Sequence, residues 1–84
     1  MTYAVEIKQS AFKVLKHIPR ADQIKIIKII KNLAHDPWPP NCLKLADHSC
    51  YRVRCGHYRI IYDIEDSKLI VIILKVGHRK EVYE

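Results

Sequence analysis

The sequence lacks a hydrophobic run long enough to cross a membrane. Although 49% of its 84 residues are hydrophobic, the longest continuous apolar stretch extends only from Leu69 to Leu74, whereas a membrane-spanning helix needs about 20 residues. The N-terminus shows no charged segment followed by an apolar core, which is the pattern of a secretion signal. We therefore expect a single domain, residues 1–84, that folds in the cytoplasm without contacting a membrane.

The sequence also lacks the close cysteine and histidine pairs that mark metal sites. Its three cysteines, Cys42, Cys50 and Cys55, are odd in number, which argues against a disulfide framework in a cytoplasmic protein. His48 and His57 lie among them, but no C-x2-C or H-x3-H unit occurs, and structural zinc sites usually contain such units. We expect neither a metal nor any other cofactor.

Acidic residues are in the minority. Nine Asp and Glu stand against 15 Lys and Arg, which gives a formal net charge of +6. Such a surplus favours a polyanionic partner, or an acidic protein that masks it. A solvated surface that only keeps the protein soluble would have the same composition. Composition therefore does not separate a binding surface from a solvated one, and the placement of the basic residues along the chain has to.

The hydrophobic periodicity predicts an α+β fold. The predicted elements are a strand over 2–8, helices over 11–17 and 21–35, and strands over 49–55, 57–64 and 68–76. Prolines 37, 39 and 40 lack the backbone donor, so residues 36–41 form a loop. Gly56 and His57 make a two-residue turn in which glycine supplies a positive φ. We expect a helical hairpin packed on one face of a sheet whose last three strands form an antiparallel meander.

Basic residues recur at strand spacing in the last third of the chain. Side chains alternate across a strand, so Arg52 and Arg54 share one face. In the next strand we expect the side that carries Tyr58 and Ile60 to meet the helices, which leaves Arg59 on the open side. Arginines on an open face are suited to bind phosphate. Without further information, Arg52 and Arg54 also fit the exposed side of an edge strand, where basic residues block aggregation.

Three segments resemble the RelE branch of the RelE/ParE toxin superfamily. They read C-Y-R-V-R at 50–54, G-H-Y-R-I-I-Y at 56–62 and V-G-H-R-K-E-V-Y at 76–83, and the order of elements extends the resemblance over essentially the whole chain. Members of this branch are ribosome-dependent ribonucleases that cut messenger RNA in the ribosomal A site. The resemblance therefore implies a RelE-like toxin of a type II toxin–antitoxin system that acts by metal-independent attack of the ribose 2′-hydroxyl.

The resemblance also implies partners. A cognate RelB-like antitoxin, encoded alongside the toxin, would hold it inactive by wrapping it with a segment that folds on binding. The ribosome and its messenger RNA would be the target. Operator DNA would be contacted only through the antitoxin complex.

Matched residue by residue, the resemblance implies a site on the last strands and the chain end. The catalytic residues implied are Arg54, Arg59, His78, Arg79 and Tyr83, and Arg52 is implied to bind RNA. We expect Lys75 and Lys80, two further basic residues of this segment, to bind RNA as well. The best-known family pattern has two lysines where this chain has Arg52 and Arg54, and a guanidinium with a pKa above about 12 is a poor general base. Our hypothesis is that Arg54, Arg59 and Arg79 grip the scissile phosphate. His78 then shuttles a proton and Tyr83 stacks on the substrate.

Two other functions stay open at this point. A ParE-like toxin shares the fold but inhibits DNA gyrase by binding, without cleaving RNA. The presence of Arg59, His78, Arg79 and Tyr83 argues against that function, because the gyrase-directed branch lacks the full set. A nucleic-acid-binding module without chemistry would need only the basic charge.

Overall fold

The computed structural model describes residues 2–45 and 50–78. Its elements in chain order are strand β1 (Ala4–Ile7), helices α1 (Gln9–Lys16) and α2 (Arg20–Leu33), and strands β2 (Leu43–Lys44), β3 (Cys50–Cys55), β4 (Tyr58–Glu65) and β5 (Ile70–His78). The predicted order is confirmed, and the bounds of the predicted elements shift by two residues at most. Neither helix in this part of the chain has the length and apolarity needed to cross a membrane.

The strands form one sheet in the order β1-β5-β4-β3-β2. Strands β3, β4 and β5 make the predicted antiparallel meander, and β1 pairs in parallel with β5. Strand β5 is an inner strand, because β1 pairs with one edge of its first half and β4 pairs with the other. An inner strand commonly has apolar residues on both faces, as β5 does. The short strand β2 was not predicted, because two residues at the edge of β3 are too few to show a periodicity.

The hydrophobic core lies between the helices and one face of the sheet. Helix α2 contributes Ile26, Ile30 and Leu33, whose spacing of four and three residues places them on one side of the helix. From the sheet come residues that are fully buried, namely Ile60, Tyr62, Val71 and Ile73. The side of β4 with Ile60 and Tyr62 therefore meets the helices as predicted, and the side with Arg59 faces away. The α+β fold is confirmed.

Tyr62 ties the proline-rich loop to this core. Its hydroxyl donates a hydrogen bond of 2.7 Å to the carbonyl oxygen of Pro37, and both residues are buried. Its ring stacks on that of Tyr51, with a centroid distance of 5.8 Å. Burial raises the pKa of the Tyr62 hydroxyl, so the group stays protonated and remains a donor at every pH near neutrality. One side chain thus fixes where the loop crosses the core.

We expect Tyr62→Phe to lower the free energy of unfolding by about 1–3 kcal/mol, because the carbonyl of a buried residue loses its donor. Urea denaturation followed by circular dichroism measures the change. The matched control is Tyr51→Phe, which removes the same hydroxyl from the half-buried partner ring and is expected to cost less than about 0.5 kcal/mol. Equal losses in the two variants would show that the bond to Pro37 does not hold the loop.

Candidate functional site

The open face of the sheet carries a cluster of arginines that the register of β3 and β4 builds. Arg54 lies directly opposite Arg59, and Arg52 lies directly opposite Ile61. Cross-strand neighbours of this kind have Cβ atoms about 4.5–5.5 Å apart. Three guanidinium groups therefore project from an area only two strands wide. We call Arg52, Arg54 and Arg59 the arginine face.

An isoleucine in the middle of this surface accounts for how the arginines are held. Ile61 is only 6% exposed although it lies on the face away from the helices. The register flanks it with Arg52 on β3 and Lys75 on β5, and Arg59 lies two residues along the same strand. Long basic side chains cover apolar surface with their aliphatic stems while their charged ends reach water. We infer that they cover Ile61 in this way.

The solvent exposure of the arginines agrees with that arrangement. The Nε atoms of Arg52 and Arg59 are shielded from solvent, and both residues are half-buried, whereas Arg54 is exposed. Packing against the sheet therefore restricts two of the three guanidinium groups before any ligand arrives. Groups held in this way lose less conformational entropy when they bind.

The pairing of Arg54 with Arg59 is unfavourable for the fold by itself. Like charges directly opposite each other destabilise an antiparallel pair. Asp63, which pairs with Cys50, lies two rows further along the same face of the β3–β4 ladder. An anion that binds between Arg54 and Arg59 would offset the repulsion between them. The register thus favours an anion site, and a polyanion is the partner that the net charge also favours.

Lys75 reaches the same face because β5 contains a bulge. Ile61 pairs with Lys75 and Tyr62 pairs with Ile73, so Leu74 is an extra residue on β5. Strict alternation from the buried Ile73 would turn Lys75 towards the helices. The extra residue reverses the alternation, so that Lys75 is exposed on the arginine side and Val76 is buried. Bulges often redirect side chains in this way beside functional sites.

The same register places His78 on the other side of the sheet. His78 pairs with Tyr58, on the side that meets the helices, whereas Arg59 pairs with Gly77. The His78 ring stacks on that of His57 with a centroid distance of 5.9 Å, and it meets the edge of the Tyr58 ring at 5.9 Å. The structure brings together Arg52, Arg54, Arg59 and Lys75. It places His78 at the same end of the sheet but on the opposite face, which meets the helices.

The remaining predicted site residues lie outside the described part of the chain. They are Arg79, Lys80 and Tyr83, and residue 48, the histidine weighed above as a zinc ligand, also lies outside it. Among residues 2–45 and 50–78, no three His, Cys, Asp or Glu side chains converge as metal ligands do. Burial raises the pKa of the Cys50 and Cys55 thiols, which lowers their thiolate fraction and hence their reactivity.

Comparison with known proteins shows the family to which the chain belongs. Residues 5–83 match the family model described as the ParE toxin of the type II toxin–antitoxin system parDE. A Methanocaldococcus jannaschii protein described as toxin RelE1 is 30% identical over 88 residues, an alignment that covers 100% of this chain and 98% of that protein.

Solved structures agree with the sequence comparison. A chain of the RelE–RelB complex from Pyrococcus horikoshii has a TM-score of 0.86 at 30% identity, with 98% of this chain and 100% of that chain covered. A chain of the RelBE2 toxin–antitoxin complex from Mycobacterium tuberculosis has a TM-score of 0.82 at 26% identity, covering 94% of this chain and 100% of that one. The protein is therefore a small toxin of the type II toxin–antitoxin class, and it belongs to the RelE/ParE superfamily. The predicted family is confirmed, and the roles of individual site residues stay predictions.

Proposed function

We propose that the protein is a ribosome-dependent endoribonuclease that cuts messenger RNA in the A site and so stops translation. The observation that supports the proposal most strongly is the arginine face. The opposed guanidinium groups of Arg54 and Arg59 lie on one open surface, and Lys75 lies next to them. Cleavage by the ribose 2′-oxygen builds negative charge on the phosphate oxygens in the transition state. Cations that are held in place before the reaction stabilise that charge most effectively.

The reaction proposed for this site is an internal phosphoryl transfer. The 2′-oxygen attacks the adjacent phosphorus, and the bond from phosphorus to the 5′-oxygen of the next nucleotide breaks. The products are a 2′,3′-cyclic phosphate and a 5′-hydroxyl. In this proposal Arg54 and Arg59 bind the non-bridging oxygens, for which the planar guanidinium fork is well shaped. Arg52 and Lys75 hold the neighbouring backbone.

Proton transfer has to come from other groups. A guanidinium with a pKa above about 12 does not lose its proton near neutral pH, so the arginine face supplies charge without supplying a base. A surface of this kind fits an enzyme whose site is completed by the RNA and the ribosome. We assign Arg79 to the phosphate, Lys80 to the RNA backbone and Tyr83 to stacking, and His78 remains the predicted proton carrier although its side chain starts from the other side of the sheet.

An antitoxin is the proposed protein partner. The relative from Mycobacterium tuberculosis belongs to a toxin–antitoxin complex, and the relative from Pyrococcus horikoshii belongs to a RelE–RelB complex. In this chain β1 is an edge strand of the sheet. Beside it lies an apolar cleft of about 520 Å³, whose lining includes Val5, Ile7 and Ile27. An acidic, amphipathic segment would gain contact area there and electrostatic attraction to a chain of charge +6. The proposed location is the cytoplasm, and operator DNA would bind through the antitoxin.

Inhibition of DNA gyrase is the second candidate function, because the matching family model is described as a ParE toxin. Two assays on the purified full chain separate the candidates. We expect ribosomes programmed with a defined message to yield a cut within the A-site codon, no cut when ribosomes are omitted, and unchanged supercoiling by gyrase. Loss of supercoiling with an intact message would favour the second candidate and contradict the first. A cut that needs no ribosome would contradict ribosome dependence.

A further inference from the structure

A second pocket opens on the helix side of the sheet, at the end where β5 finishes. Its volume is about 230 Å³, and it is bounded by the C-terminal end of α1, the link between α1 and α2, the first residue of β4 and the end of β5. Its lining includes Ile18 and Gly77, which are buried. Two imidazoles and a phenol complete the wall, from His17, His78 and Tyr58. We call this space the end pocket.

The rings beside the end pocket are arranged for stacking. His57 and His78 are nearly parallel, with 17° between their planes, and Tyr58 meets His78 at 75°. The turn brings His57 into this position, because Gly56 has a φ of +60° that reverses the chain within two residues. Proteins that bind unpaired RNA commonly stack its bases on His, Tyr and other flat side chains.

The helix ends that adjoin the end pocket carry basic residues. Lys13 and Lys16 occupy the last turn of α1, and Arg20 begins α2, all of them exposed. These helix ends supply positive charge, which a nucleic acid backbone requires.

Gly77 connects the end pocket to the arginine face. It pairs with Arg59 on the open side of the sheet and also lines the end pocket. The next pair, Tyr58 with His78, is one residue further along, or about 3.3 Å. An RNA strand that leaves the arginine face at this end of the sheet would have to pass the His57 turn to reach the rings.

We propose that the end pocket binds the base of an unpaired nucleotide adjacent to the scissile phosphate, an inference that rests on the proposed function for its RNA substrate. The base packs against the rings of His78 and Tyr58, which line the pocket. His57 is a positioning residue in this proposal, because it stacks on the His78 ring and holds it in place. The pocket selects a flat aromatic ligand, whereas the arginine face selects the phosphate.

Nuclear magnetic resonance on the full chain tests the proposal with adenosine monophosphate, and ribose 5-phosphate serves as the matched ligand that lacks the base. We expect adenosine monophosphate to shift the ring resonances of His57, His78 and Tyr58, and ribose 5-phosphate to leave them unchanged. His78→Ala should weaken the binding about fivefold or more, since removing one stacking side chain costs about 1–3 kcal/mol. His35→Ala, an exposed histidine at the other end of α2, should have no effect.

Two outcomes would overturn the end pocket. Equal shifts with ribose 5-phosphate would identify a phosphate site, and the absence of shifts with adenosine monophosphate would show no site at all. His78→Phe adds a separate readout, because phenylalanine keeps the flat ring and cannot carry a proton: base binding should persist in this variant. Failure of the proposed function would give a different pattern. The message would stay intact on the ribosome, while adenosine monophosphate would still shift the ring resonances.

Discussion

Replacing Arg59 by methionine is expected to slow single-turnover cleavage of a ribosome-bound message by about 10²–10³-fold, the usual cost of removing one preorganised group that stabilises transition-state charge. Arg59 combines the two features that make such a group effective. It lies opposite a second arginine, and its Nε is shielded from solvent, which restricts where the guanidinium can point. Methionine keeps an unbranched stem beside Ile61 and removes the charge.

The Arg59→Lys variant is the matched control for charge. Lysine keeps the positive charge but not the planar fork, so its rate should fall between those of the wild type and Arg59→Met. Circular dichroism and urea denaturation check that both variants keep the fold. Cleavage by Arg59→Met at the wild-type rate would contradict the phosphate role of Arg59, whatever the lysine variant does.

Replacing Arg54 by threonine is expected to change stability and activity in opposite directions. Removing one of two like charges that face each other across the ladder should raise the free energy of unfolding by about 0.2–1 kcal/mol, and threonine suits a strand. The same change removes a phosphate ligand, so the cleavage rate should fall by about 10²-fold or more. A residue that costs stability and is needed for activity is best explained by the anion it binds.

Lys44→Thr is the matched control for this second prediction. Lys44 is an exposed basic residue on the neighbouring strand β2, and it pairs with Tyr51 and not with another cation. We expect its replacement to change neither the unfolding free energy nor the cleavage rate appreciably. A loss of stability in Arg54→Thr would show that the opposed arginines do not repel each other in the folded protein. That result would remove the electrostatic argument for an anion site.

The arginine face was predictable from sequence because it depends on short-range rules. Alternation along a strand puts Arg52 and Arg54 on one side, and the two-residue turn at Gly56 fixes the register that sets Arg54 against Arg59. The helices were predictable for the same reason, since their apolar spacing is local. The strand β2 was not, because its only signal is the edge of β3 that it joins.

The faces of the sheet on which Lys75 and His78 lie depend on Leu74, the extra residue of a bulge that no sequence pattern reveals. Counting by twos from the buried Val71 and Ile73 puts Lys75 among the core residues and His78 on the open face. The bulge at Leu74 reverses both assignments, because an inserted residue flips every later side chain of a strand. The pairing that creates the bulge is a long-range contact with β4. The family resemblance groups His78 with the arginines by its position in the motif, whereas the register places it on the opposite face of the sheet.

The chemical form of the cut message tests the central claim most directly. Ribosomes stalled with a defined codon in the A site are incubated with the purified chain, and the 3′-terminal nucleotide of the upstream RNA fragment is analysed by mass spectrometry. Attack by the ribose 2′-oxygen predicts a 2′,3′-cyclic phosphate at a cut within the A-site codon, with the product strongly reduced for Arg59→Met. A 3′-hydroxyl end, or an intact message on ribosomes exposed to excess toxin, would contradict the mechanism proposed for the arginine face.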